Sequence, residues 1–195
     1  MKVLSTALFL VLFTAGVWGV WYLQTSLPVL KTIEPFQMTS VLDGGRYSSD
    51  NDRIKVVAFF YTECPDICPF TMSDLKEVYE ALETEGAFDE KKVEFVSITL
   101  DPEADTDERI RRYADSFDAD IKGWHWLRGT EAETADLTEE FRMRRMKVEG
   151  EIVHSTTLYL MDADHQIRGT YAMATYRDRL NREELMDDVL KLIDQ

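Results

Sequence analysis

Residues 55–69 read KVVAFFYTECPDICP, and this stretch decides the fold. Its first part, Lys55–Tyr61, is a nearly continuous apolar run, which predicts a strand buried on both faces of a sheet. Its last residue, Pro69, opens a segment to Gly86 in which Leu75, Val78, Tyr79 and Leu82 recur at helical spacing. Pro69 suits the start of a helix, where its missing N–H costs nothing, and Gly86 suits a stop. Cys64 and Cys68 stand in the joint between strand and helix. A rigid strand end and the partial positive charge of a helix N-terminus make this joint the place where α/β proteins hold reactive groups. A thiol there has a lowered pKa and becomes a better nucleophile and metal ligand.

The flanking segments repeat the pattern. Val93–Leu100 predicts a second buried strand, followed from about Thr106 to Phe117 by a helix with Ile110, Tyr113, Ala114 and Phe117 inward. Trp124–Leu127 predicts a short strand and Thr130–Met143 a helix. Thr156–Asp162 and Ile167–Tyr171 predict a hairpin, and Asn181–Ile193 a last helix with Asn181 as its cap. Upstream, Phe36–Leu42, Asp43-Gly44-Gly45 and Arg46–Ser48 predict a β-hairpin with a glycine turn. The order ββ-βα-βα-βα-ββ-α predicts one α/β domain around a mixed sheet.

The 195 residues carry 22 Lys+Arg against 37 Asp+Glu, a net charge of −15. So acidic a chain lacks the basic face that nucleic acids require, so no nucleic-acid partner is expected. Two cysteines exclude a disulfide-rich scaffold and a four-cysteine zinc site. They leave open one disulfide, one redox pair, or one metal site completed by other ligands.

Residues 3–23 hold no charge, and as a helix they would span about 31 Å, the thickness of a bilayer core. Trp18, Trp21 and Tyr22 cluster at the end, as in an aromatic belt. The stretch is long for a signal peptide and no small-x-small cleavage site follows it, so residues 1–23 are read as an uncleaved transmembrane anchor. Residues 24–35 are read as a linker and 36–195 as the folded domain. Lys2 is the only charged side chain before the anchor, which leaves the N-terminus in the cytoplasm and the domain outside. The domain alone then carries 21 − 37 = −16. Neither cysteine lies near the anchor, which excludes a lipoprotein. The first arginine is Arg46, which argues against a mitochondrial transit peptide and for a single-pass protein of a bacterial cytoplasmic membrane.

The Cys-x3-Cys spacing puts both sulfurs on one face of a helix, where they could share one ion or close a disulfide. Thioredoxins use Cys-x2-Cys, and the added residue shifts the balance from exchange toward metal binding. A structural disulfide across so small a loop would stabilise little. A metal site needs a third ligand, and there are three histidines. His165 is read as an exposed turn residue, and His125, between Trp124 and Trp126, as packed among aromatics. His154 has the most suggestive setting, in a loop entering a core strand. Two thiolates with one imidazole suit a soft ion such as copper.

Four motifs in order, FFYTECPDICP at 59–69, SITLDPEADT at 97–106, GWHWLRGT at 123–130 and VHSTTLYLMD at 153–162, resemble the Sco (SenC/PrrC) family of membrane-anchored copper proteins. The resemblance covers about residues 36–194. It implies a thioredoxin-like fold of the peroxiredoxin type with an N-terminal β-hairpin. It implies that Cys64, Cys68 and His154 bind one copper ion, Cu(I) or Cu(II). It also implies assembly of the binuclear copper site of cytochrome c oxidase subunit II. Asp101 matches a family aspartate associated with the metal site and partner interaction; by itself, an Asp before Pro102 is equally a turn former. The other functional expectation is a thiol–disulfide oxidoreductase that keeps the oxidase cysteines reduced, with Cys64 attacking and Cys68 resolving. The chain departs from the family pattern at Ala104, where arginine is common, and at His165, where glycine is common. It departs again in the basic run Arg142, Arg144, Arg145 and Lys147, read as a solvated loop in preference to a docking surface.

Overall fold

The computed structural model describes residues 12–14, 16, 26–88, 92–119, 122–148 and 151–195. The proposed anchor lies outside the described residues except at 12–14 and 16, and among the described residues no helix is long and apolar enough to cross a membrane.

Strand β4 (Ile54–Phe60) is buried along its whole length and forms the middle of the sheet. It pairs in parallel with β5 (Val93–Thr99), and β5 pairs in parallel with β6 (Trp124–Arg128). On its other side it pairs antiparallel with β9 (Thr157–Met161), which pairs antiparallel with β10 (Gln166–Ala172). The expected hairpin forms β2 (Gln37–Ser40) and β3 (Arg46–Ser48) and joins the sheet where β2 pairs with β6. A two-residue strand, β1 (Lys31–Thr32), lies on β10. The sheet order is β1-β10-β9-β4-β5-β6-β2-β3.

Alternation along β4 divides the core into two layers. Ile54, Val56, Ala58 and Phe60 enter one layer, and Val57 and Phe59 the other. Helices α1 (Ile67–Thr84), α2 (Asp107–Asp115) and α4 (Arg182–Ile193) bury their apolar stripes in the first layer. Helix α3 (Glu131–Glu140) contributes Leu137 to the second. The stop predicted at Gly86 is present: its φ is +74°, its N–H donates to Glu83 O at 3.0 Å, and Ala87 N–H donates to Leu82 O at 2.9 Å. These two bonds satisfy the last carbonyls of α1, and only glycine adopts that backbone without steric cost.

Three readings change. The linker gives way at its end, because Lys31–Thr32 pairs with β10 and Ile33 is buried in the second core layer. The basic run is a hairpin: β7 (Arg145–Val148) pairs antiparallel with β8 (Glu151–His154). Charged residues interleaved with Met146, Ile152 and Val153 hid its period of two. His165 is in a turn, but a buried one, 6% exposed with φ +59°. Ile33 N–H donates to its carbonyl at 2.8 Å and Ser49 Oγ lies 3.0 Å from its Nε2, so β1 and the β2–β3 region close over it.

Candidate functional site

Both cysteines are free thiols at the C-terminal end of β4. Helix α1 starts two residues before Pro69, so Cys68 lies inside it, fully buried, while Cys64 precedes it and is 8% exposed. Asp66 holds the N-cap position but makes no side-chain cap. The Cys64 sulfur takes that role, accepting the Cys68 backbone N–H at 3.4 Å. A sulfur that receives helix N–H groups is stabilised as a thiolate.

The two thiols are pushed apart in acidity. Hydrogen bonding from the Cys68 thiol, against the opposing effect of burial, lowers Cys64 to about 6; the backbone N–H groups of Cys68 and Asp66 and the Tyr61 side chain act in the same direction. Donating that proton, together with burial, pushes Cys68 far up. At neutral pH the pair therefore holds one thiolate, Cys64, and one thiol, Cys68.

The loop carrying Cys64 is braced from below. Buried Asp105 accepts the Thr62 backbone N–H at 3.2 Å and the hydroxyls of Thr62 and Thr99. Burial raises the Asp105 pKa despite those bonds. This strap ties the exit of β4 to the loop after β5. Periodicity gives no sign of it, since it joins residues 43 positions apart.

His154 ends β8, half-buried, with its ring edge-on to Tyr61 at 6.0 Å between centroids. Its Nδ1 lies 2.8 Å from the Ser155 carbonyl, a partner that requires N–H there and leaves Nε2 unprotonated in the neutral ring. Tyr61 in turn acts on Cys64, so the histidine stands one aromatic side chain from the thiols. Among the described residues no three His, Cys, Asp or Glu side chains are close enough to hold an ion together. The structure thus pairs the cysteines and places His154 beside their loop.

Asp101 forms a turn. Its Oδ1 accepts Ala104 N–H at 3.4 Å, its carbonyl accepts Asp105 N–H at 2.7 Å, and it is 8% exposed. His125 packs on an aromatic ring as expected, but on Tyr47 and not on the flanking Trp124 and Trp126. Those two side chains stack on each other in the first core layer, while His125 faces the other way, 5.1 Å from Tyr47. Its Nε2 is 3.5 Å from buried Glu94 and its Nδ1 3.5 Å from Asp43, in a polar cluster at the start of the sheet strands, away from the thiols.

The chain thus holds a two-thiol loop on the C-terminal end of a central strand with the His154 ring beside it. The profile of the SCO1/SenC family matches residues 27–193. The chain belongs to the SCO1/SenC family. A SCO2-like protein of Rickettsia conorii is 29% identical over 152 residues, covering 72% of this chain and 68% of that protein. The copper-bound structure of Bradyrhizobium japonicum ScoI is 28% identical with a TM-score of 0.67, covering 83% of this chain and 99% of that one. BsSco, described as having a disulfide switch and as a member of the Sco family of cytochrome c oxidase assembly proteins, is 22% identical with a TM-score of 0.72. That match covers 86% of this chain and 97% of BsSco. The architecture is the thioredoxin-like α/β fold of the family.

Proposed function

We propose that this protein is a copper chaperone for cytochrome c oxidase assembly. Cys64, Cys68 and His154 take one copper ion as cargo and pass it to the binuclear copper site of subunit II. The observation that carries the reading is the pair of free thiols on the loop after β4 with His154 beside that loop, one Tyr61 ring away. A thiolate, a second thiol that loses its proton on binding, and an imidazole form a soft donor set suited to copper. The copper-bound ScoI relative and the oxidase-assembly role of BsSco support the same assignment. Residues 3–23 would anchor the chain in a bacterial cytoplasmic membrane, with the domain on the extracytoplasmic side. Asp101 supports the loop next to the site by its turn and is a candidate contact for the partner.

Copper titration of the full chain in detergent tests this. Wild type is expected to bind about one copper per chain with a Cu(II)–thiolate absorption band, as one three-ligand site requires. Cys64→Ser should abolish the band, and His154→Ala should shift it and weaken binding by about tenfold or more. Unchanged spectra and affinity in His154→Ala would remove the histidine from the site.

The split acidities favour one second reading, thiol–disulfide exchange with the oxidase cysteines. The Cys64 thiolate attacks a partner disulfide and releases one partner thiolate. Cys68 then attacks Cys64, releasing the second partner thiolate and leaving a Cys64–Cys68 disulfide, so two electrons pass to the partner. Oxidase assembly that survives His154→Ala but not Cys64→Ser would select this reading.

A further inference from the structure

The β7–β8 hairpin that ends in His154 has two unlike faces. Ile152 is buried in the second core layer, and Arg145 is tied to Glu131 by bonds of 2.6 and 3.0 Å. His154 pairs with Arg145 in the register and lies against Tyr61. On the opposite face Met146 and Val153 are cross-strand partners, 62% and 56% exposed. Among the described residues from 31 onward, the exposed large hydrophobic side chains are these two and Tyr176. A single exposed apolar residue means little, but two paired across a ribbon make a patch.

The surroundings are basic. Residues 142–154 hold Arg142, Arg144, Arg145 and Lys147 against Glu149 and Glu151, 4 − 2 = +2, in a chain of net charge −15. Arg142 and Arg144 are exposed. A cavity of about 220 Å3 lined by Arg144, Met146, Val153, His154 and Ser155 runs from the patch to the histidine. An apolar centre with a charged rim is the anatomy of a protein interface.

We infer that the outer face of the β7–β8 hairpin docks an acidic protein surface, that of the domain receiving the metal ion from His154. This rests on the chaperone reading above. The sign of the rim selects an acidic partner. The net negative charge of the rest of the molecule opposes such a partner, so the attraction also orients it. Docking there sets the acceptor beside the ligand that would release the ion.

The test measures binding of the full chain, in uncharged detergent, to the purified apo copper domain of oxidase subunit II from the same organism. Wild type, Arg142→Gly/Arg144→Glu and Met146→Ser/Val153→Ser are compared at low and moderate salt. Arg142→Gly/Arg144→Glu should weaken binding about tenfold and flatten its salt dependence, while Met146→Ser/Val153→Ser should weaken it about fivefold at every salt concentration. Both should keep the wild-type copper stoichiometry and thermal midpoint, which separates a lost docking face from a lost metal site or fold. Variants that bind the domain as wild type does, at either salt, overturn the inference, as does a wild type that does not bind. Variants that lose binding to anionic lipid vesicles, but not to the domain, assign the patch to a membrane surface instead and overturn it as well.

Discussion

Cys64 and Cys68 look equivalent in the sequence, and the fold makes them unlike. Cys64 receives hydrogen bonds from the helix start and from its partner thiol, while Cys68 is fully buried and gives its proton. The spacing and the strand–helix joint made the pair legible as reactive. The asymmetry entered only by analogy, with Cys64 attacking and Cys68 resolving; its cause is which sulfur lies inside the helix, and that start is two residues earlier than Pro69 implies. In the apo chain, iodoacetamide should therefore label Cys64 first, with a rate that rises with pH around a midpoint near 6. Cys68→Ala removes the donated proton and should raise that midpoint by roughly one unit. Peptide mapping that finds both thiols labelled at equal rates would contradict the assignment. His165 shows the opposite limit: its turn was legible, but its burial comes from Ile33 and Ser49, which are far away in the chain.

At the scale of elements, the long apolar runs were the readable part, and even they conceal charges. Lys55 opens the run read as nearly continuously apolar and is fully buried, with its Nζ 3.8 Å from Glu94 Oε1 on the adjacent strand. Glu94 also accepts bonds from Tyr47 at 2.5 Å and Asn51 at 2.9 Å, and Arg53 lies 3.2 Å away. Burial opposes its ionisation, but hydrogen bonds from His125, Tyr47 and Asn51 and the charge of Lys55 outweigh it and hold the carboxyl below its ordinary range. The parallel register Lys55↔Glu94 creates the pair, and no single-strand pattern shows a register. Removing one partner of a buried pair costs more than the pair is worth, so Glu94→Gln should lose about 3–5 kcal/mol at pH 7. The pH dependence has a defined sign. A depressed carboxylate adds stability above its unfolded pKa of about 4.3, and loses it as pH falls through the folded value. The gap between wild type and Glu94→Gln in urea unfolding should therefore narrow below about pH 4. A gap that stays constant down to pH 3 would show that Glu94 is not ionised in the native state.

On the proposed reading of residues 3–23 as a membrane anchor, the whole molecule runs in a definite order from membrane to site. With residues 3–23 in a bilayer, the chain is fixed to the domain again at Leu27, whose carbonyl accepts from the Arg168 guanidinium, Nε at 3.2 Å. The three residues between give four Cα steps and reach at most about 14 Å, so an anchored domain would stay at the membrane surface, where a membrane-bound oxidase would be met. The segment read as a linker thus belongs mostly to the fold. Two residues of β1 carry no periodicity that a sequence could show, and their place on β10 is decided by the sheet edge they cover. Its contribution can be measured by comparing domains that begin at residues 26 and 36. The shorter one loses burial of Ile33, which is 1% exposed, and two backbone bonds of 2.8 Å, Leu30 N–H to Ile167 O and Ile33 N–H to His165 O. Apolar burial of that size and two hydrogen bonds together predict a loss of roughly 3 kcal/mol, read as a lower urea midpoint. Copper stoichiometry should not change. β1 borders β10, two strands from β4, and the β9–β10 turn it covers lies at the end of the sheet opposite the thiols. Equal midpoints would mean that β1 is an ornament of the edge, and a lost copper site would mean that the two ends of the sheet are coupled.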